Sequence, residues 1–92
     1  MAELIAATTD ADQSADIVLA DGAVATVVVL GDMRPGEAAI IEIDDGDSGY
    51  IRVSPFEAHS LTYFHRVQQI LGPGTYRVNK GPTANACSVY QQ

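Results

Sequence analysis

The chain has no tryptophan, a single cysteine, and five basic residues against twelve acidic ones among 92. One cysteine cannot form a disulfide within the chain. At a formal net charge of −7 the chain also lacks the excess of Lys and Arg that neutralises phosphate groups. We therefore expect neither nucleic acid nor an anionic membrane surface among its partners. No apolar run reaches the ~18 residues that a membrane span needs.

Two further features are missing from the sequence. The first residues, Met1-Ala2-Glu3, have neither the basic flank nor the apolar core of a signal peptide. This predicts a protein made and kept in a reducing cytoplasm, or assembled there into something larger. No acid, base or nucleophile stands at a spacing that a known reaction requires. We therefore expect no enzymatic activity and no cofactor.

The apolar residues that are present favour strands. Sixteen Val and Ile stand against five Leu, and branching at Cβ suits a pleated sheet better than a helix. Turn residues divide the chain at short intervals, which is typical of a sandwich or small barrel. The sequence predicts an all-β fold: a small antiparallel β-sandwich or jelly-roll-like barrel of about seven or eight short strands. We place this single domain at residues 15–92, after an N-terminal arm at residues 1–14.

The first predicted hairpin surrounds Asp21-Gly22, a dipeptide suited to a tight turn. Asp16–Ala20 precedes it and Ala23–Leu30 follows it. Because Ala23–Leu30 is apolar on both alternating faces, we expect the opposing sheet to cover one face and a partner or neighbouring segment to cover the other. This predicts self-association as a dimer or trimer.

A second hairpin is predicted from Ala38–Asp44 and Tyr50–Ser54 around an acidic turn. Glu42 and Arg52 are expected to share its outer face. Four alternating side chains are expected to point inward: Ile41, Ile43, Ile51 and Val53. Two later strands are predicted at Thr75–Asn79 and Ala86–Tyr90.

Two segments allow alternative interpretations. Pro55–Leu71 has apolar residues near helical spacing, but we predict strands because the rest of the chain is β and no clear helix cap is present. In the N-terminal arm, Leu4 and Ile5 either pair with a neighbouring chain or pack locally. They are candidate interface residues.

Metal and nucleophile candidates are incomplete. Asp44, Asp45 and Asp47 resemble half of a calcium loop, but the remaining ligand pattern is not met, so we predict a solvated hairpin turn. His59 and His65 have no partner at zinc spacing and are predicted to lie at the surface or in an interface. Cys87 lies in an apolar strand and is predicted to be a small buried hydrophobe. We therefore predict no metal site.

Two short segments are candidates for a structural or binding role. Tyr63 and Phe64 could line a carbohydrate or peptide groove with Phe56, or fill a core or an interface. Gly72-Pro73-Gly74 lacks the Lys and Ser/Thr of a phosphate loop and precedes a strand. We predict a structural turn there, in which one of the two glycines has a positive φ.

The segment Leu71-Gly72-Pro73-Gly74-Thr75-Tyr76-Arg77-Val78-Asn79-Lys80, followed by Ala86–Tyr90, resembles the C-terminal part of small accessory proteins of tailed bacteriophage particles. In that group a stretch like Asp16–Gly22 opens the first hairpin, and the Gly-Pro-Gly-Thr-Tyr-Arg-Val segment forms a late strand. The resemblance covers about half of the chain.

The resemblance implies a non-enzymatic virion protein that is made in the host cytoplasm. Such a protein binds the outside of the capsid as a decoration or cement protein, as a dimer or trimer, with the major capsid protein or another virion protein as its partner. The alternative is a phage tail, baseplate or host-surface binding module, which would use exposed aromatics such as Tyr50, Tyr63 and Tyr90. A small enzyme or inhibitor is a third class, which no residue spacing supports.

Overall fold

The protein is a small two-sheet β structure, as predicted. A computed structural model describes residues 2–47, 49–53 and 60–92, and these contain ten strands and no helix. The strands are β1 (Ala2–Thr8), β2 (Asp12–Gln13), β3 (Ile17–Leu19), β4 (Val24–Gly31), β5 (Ala38–Asp44), β6 (Tyr50–Arg52), β7 (Ser60–Thr62), β8 (Val67–Leu71), β9 (Gly74–Lys80) and β10 (Cys87–Gln91). The count exceeds seven or eight because four strands have only two or three residues. None of the described segments is a helix that could cross a membrane.

All described strand pairs are antiparallel, and they form two sheets. The four-stranded sheet has the order β1-β10-β4-β8. The six-stranded sheet has the order β2-β9-β5-β6, with β3 also pairing with β9 and β7 with β5. Every one of these pairs joins a strand from the first five to a strand from the last five.

The first predicted hairpin is wrong, although its turn and strands exist. The turn is tight, with Ala23 N donating to Ala20 O over 3.0 Å and Gly22 at φ +80°. However, β3 pairs with β9 and β4 pairs with β10 and β8, so the turn carries the chain from one sheet to the other. Strand β4 has five paired residues with β10 and five with β8, whereas the three-residue β3 pairs with β9.

The second predicted hairpin is confirmed in its described part. Strands β5 and β6 pair with Glu42 opposite Arg52, and Ile41 is buried. Ile51 and Val53 do not reach the core, because β6 lies at the sheet edge, and they are 55% and 38% exposed. Ser54 lies outside the described residues.

Strands β7 and β8 lie in the segment for which strands and not a helix were predicted, and β9 and β10 occupy the two predicted late segments. Phe56 and His59, with the rest of 54–59, lie outside the described residues. The core between the sheets includes fully buried Val27, Val78 and Val89. Cys87 is free and buried among them, as predicted.

The N-terminal segment is part of the sandwich, which corrects its assignment as a separate arm. Strand β1 pairs with β10, with Ala2 opposite Gln91, and β2 pairs with β9 of the other sheet. Ile5 is 2% exposed in the core, and Leu4 packs against it. Local packing is therefore the interpretation that the structure shows for this segment.

Lys80, at the end of β9, has the largest of the fully buried side chains in the described residues. Its Nζ donates to the backbone oxygens of Asp10, at 2.9 Å, and Gly81, at 3.2 Å. The ammonium group thus ties the loop after β1 to the end of β9, and the aliphatic part of the side chain is buried with it.

The Gly72-Pro73-Gly74 segment connects β8 to β9, but its glycines do not have the positive φ that was predicted for one of them. Neither Gly72 nor Gly74 has a positive φ, and the Gly72-Pro73 peptide bond is cis. Instead, a Cβ at Gly72 would lie 1.9 Å from Ala20 O, and one at Gly74 would lie 3.0 Å from Tyr76 Cε1. Close packing against backbone, and not a positive φ, accounts for Gly72, whereas a Cβ at Gly74 would make a tight contact with the Tyr76 side chain.

Glu37, next to β5, holds two loops together. One carboxylate oxygen accepts the Arg34 N–H at 2.8 Å and the other accepts the Ala84 N–H at 2.7 Å. These two hydrogen bonds, with the positive charges of Arg34 and Lys80, hold the pKa of Glu37 below its ordinary value of 4.5.

We expect this lowered pKa to make stability depend on pH. The ionised form is favoured in the folded state, so the contribution of Glu37 is complete well above pH 4.5 and is lost as the pH falls through the lower folded pKa. Thermal melts of wild type and Glu37→Gln between about pH 3 and pH 7 should show a difference in melting temperature that is largest near neutrality and shrinks in acid. A difference that is constant with pH would contradict this assignment.

Candidate interaction surface

The outer face of the six-stranded sheet carries a polar cluster whose groups bond to one another. The Tyr50 hydroxyl donates a hydrogen bond to Asp16, which raises the pKa of Tyr50. Arg77 lies 3.9 Å from the centre of the Tyr50 ring and donates from Nε to Glu42 at 2.7 Å. The Tyr50 hydroxyl, the Arg77 guanidinium and the Glu42 carboxylate therefore already have partners within the chain.

The outer face of the four-stranded sheet is apolar. We call five side chains on β4 and β8 the apolar stripe: Val24, Val28, Leu30, Val67 and Leu71. Four of them are 44–61% exposed, and Val28 is buried on this face without belonging to the core cluster. Val24 stands opposite Leu71, and Val28 stands between Tyr90 of β10 and Val67. This is the second apolar face that the sequence predicted for β4.

Residues 62–65, here called the aromatic turn, hold two rings in solvent. Tyr63 and Phe64 pack edge to face, with centroids 5.0 Å apart and rings at 90°. They are 46% and 68% exposed. Filling of the core, one of the predicted alternatives, is thus wrong for these two rings.

Hydrogen bonds fix the backbone of the aromatic turn. Thr62 and His65 exchange two backbone hydrogen bonds, of 2.9 and 3.2 Å. The Thr62 hydroxyl, in a buried residue, accepts from Phe64 N at 3.2 Å and from His65 N at 3.1 Å. The rings are therefore exposed on a turn that is ordered before any partner binds.

The aromatic turn and the apolar stripe are joined at Arg66. The Arg66 carbonyl accepts from Val29 N at 3.0 Å, and its guanidinium donates to Gly31 O at 2.6 Å. These bonds fasten the segment between the turn and β8 to the end of β4. The aromatic turn is thus anchored beside the end of β4, and the aromatic turn and the apolar stripe together are here called the exposed apolar surface.

The other candidate residues lie elsewhere. Leu4 and Ile5 pack with the core and do not join this surface. Tyr90 lies at its margin, where its hydroxyl donates to Glu3 at 3.0 Å, which raises the pKa of Tyr90. His65 is exposed at the end of the aromatic turn.

The acidic turn uses its carboxylates on its own backbone. Asp44 accepts from Gly46 N at 2.9 Å, and Asp45 accepts from Asp47 N at 2.8 Å. Such bonds stabilise a hairpin turn without an ion. In the described part of the chain, no three His, Cys, Asp or Glu side chains are grouped as metal ligands.

A depression of about 10 Å³ lies between Ile41, Val53 and Ile70, which is room for about one water molecule and not for a substrate. The exposure of Val67 and Leu71 was not predicted, and the order Val-Gln-Gln-Ile-Leu in β8 does not alternate in a way that would have indicated it. Comparisons with protein-family models, with curated proteins and with solved structures found no match to this chain.

Proposed function

We propose that this chain is a non-enzymatic virion structural protein, which binds the outer surface of a phage capsid as a decoration or cement protein. Two things support the proposal: the resemblance of Leu71–Lys80 and Ala86–Tyr90 to phage accessory proteins, and the aromatic turn. The observation that carries it is the exposed Tyr63–Phe64 pair, which lies on a turn whose backbone N–H groups bond to the Thr62 hydroxyl.

Exposed rings on an ordered turn suit a binding role. Aromatic side chains supply much of the binding energy in protein interfaces. A turn that is ordered in advance lowers the entropy lost on binding. A capsid presents many copies of one site, so an oligomer of this chain would gain further affinity from effective concentration. Such bridging would resist the separation of neighbouring capsid subunits.

Co-sedimentation with purified capsids of the phage that carries this protein tests the proposal. We expect saturable binding of the wild type, and about a 100-fold weaker affinity for the double variant Tyr63→Ser, Phe64→Ser, since two anchor residues are lost. Val18→Ser is the control, because Val18 is 74% exposed on β3, outside both the aromatic turn and the apolar stripe.

A second variant separates the rings from their support. Thr62→Val keeps the shape of the side chain and both rings, but removes the acceptor of two backbone N–H groups. We expect it to bind more weakly than wild type and more tightly than the double variant. Wild type that does not bind capsids, or a double variant that binds as well as wild type, would contradict the proposal.

The alternative is a tail, baseplate or host-surface binding module. The groove of Tyr50, Tyr63 and Tyr90 that this alternative would use is not supported, because Tyr50 lies on the six-stranded sheet and Tyr90 lies on the four-stranded sheet. Both hydroxyls are bonded to carboxylates within the chain. Binding to tail or baseplate fractions in place of capsids would select this alternative.

A further inference from the structure

The edges of the two sheets differ in how they are protected against pairing with another chain. Strand β1 carries Glu3 and two register irregularities, β2 carries Asp12, and β6 carries Arg52. The other two edge strands, β3 and β7, carry no charge but have only three residues each. Charges and bulges at an edge discourage further strands. Strand β8 is an edge of the four-stranded sheet with five residues, no charge, no proline and an unbroken register with β4.

The backbone of β8 can accept a neighbour. Arg66 O bonds to Val29 N, and Gly72 N bonds to Ala23 O, so even-numbered positions face β4. Alternation then points the N–H and C=O groups of Val67, Gln69 and Leu71 away from β4. Among described residues, the Tyr76 hydroxyl bonds to one of these groups, the Leu71 oxygen, at 2.6 Å. A carbonyl oxygen can accept a second hydrogen bond.

We propose that β8 pairs antiparallel with β8 of a second copy of this chain, about a two-fold axis at Gln69. On the outer face, β8 presents Val67, Gln69 and Leu71, an apolar-polar-apolar order that is the same in both directions. The two-fold axis places Val67 opposite the partner's Leu71. It also places Gln69 opposite the partner's Gln69, where the two amides can donate to and accept from each other.

The same operation joins the two apolar stripes. An axis perpendicular to the sheet makes one eight-stranded sheet, with both outer faces pointing the same way. The row of Val28 and Val67 continues into the partner's Leu71 and the partner's Val24. A second copy therefore extends a surface that each chain leaves exposed.

No acidic residue of β8 or β4 lies at this seam, although each copy carries a net charge of −7. The repulsion between copies is thus long-range, and we expect added salt to strengthen the dimer by screening it. A dimer held by salt bridges would weaken instead. The inference concerns the purified chain and does not rest on capsid binding.

Light scattering after size exclusion tests the interface. We expect the wild type to be a dimer at about 100 µM, a concentration that populates interfaces of micromolar affinity. Val67→Lys should be a monomer, because it places two like charges at the seam. Val18→Lys, the same substitution on the opposite sheet, should remain a dimer. A wild-type monomer or trimer, or a Val67→Lys dimer, would overturn the proposal.

Cross-linking tests the register. Residues opposite each other at a hydrogen-bonded position have Cα atoms ~5.5 Å apart, which a disulfide spans. Cys87 is buried, so Gln69→Cys adds one accessible thiol. We expect mild oxidation to give a disulfide-linked dimer of Gln69→Cys at least ten times faster than of Val18→Cys. Equal rates for the two variants would reject pairing about Gln69.

Discussion

Gly72→Ala should lower the free energy of unfolding by more than about 3 kcal/mol. The added Cβ would lie 1.9 Å from Ala20 O and 2.8 Å from Ala20 C. The backbone cannot easily move away, because Gly72 N donates to Ala23 O at 2.8 Å and Ala20 O accepts from Ala23 N at 3.0 Å. Relief of the clash must break one of these bonds. A 92-residue domain has about 5–14 kcal/mol in total.

Gly49→Ala is the matched control. Nothing lies within 4 Å of a Cβ at Gly49. Urea unfolding should therefore leave this variant within about 0.5 kcal/mol of wild type. If Gly72→Ala and Gly49→Ala unfold at the same urea concentration, Gly72 does not lie as close to Ala20 as the structure places it.

The second large effect is expected at Lys80. Lys80→Ala removes the largest fully buried side chain and both of its hydrogen bonds, to Asp10 O and Gly81 O. We expect a loss of about 3–5 kcal/mol, from the cavity and from two carbonyl groups that lose their donor. Equilibrium unfolding in urea measures it.

Lys80→Met separates packing from hydrogen bonding. Methionine refills most of the space but donates no hydrogen bond, so we expect a loss of about 1–3 kcal/mol, smaller than that of alanine. A Lys80→Ala variant as stable as wild type would show that desolvation of the ammonium group cancels the value of its contacts.

Local composition predicted the strands well. Val and Ile content places β4 and β5 correctly, and the alternation of Tyr76 and Val78 with polar residues places β9, because a pleated surface selects such residues. Which strands become neighbours is not a local property. Asp21-Gly22 has the sequence of a hairpin turn, and its geometry is tight, yet β4 pairs with strands more than 35 residues away in sequence. The pairing of β4 with β10 and β8, in place of β3, is a property of the whole fold and not of the turn.

The candidate surface was predicted in part. The second apolar face of β4 follows from its sequence. The aromatic pair Tyr63 and Phe64 was noticed in the sequence, but the sequence did not distinguish a groove or an interface from the core, and the structure leaves both rings exposed. For Leu4 and Ile5 the sequence left two interpretations open, because an apolar pair can lie in an interface or in the core, and the structure places both with the core. Lys80 escaped prediction because lysine is rarely buried, and its backbone partner at Asp10 is 70 residues away.

Because each described strand pair joins the first five strands to the last five, neither half of the chain can form a described pair alone. During synthesis, a ribosome that has released β1 to β5 has released no two strands that pair in the final sheets. Sheet formation must wait for the second half, and the unpaired first half is then a target for chaperones and for aggregation. Cut in the exposed turn near Asp47, the protein would give two fragments that fold only upon meeting.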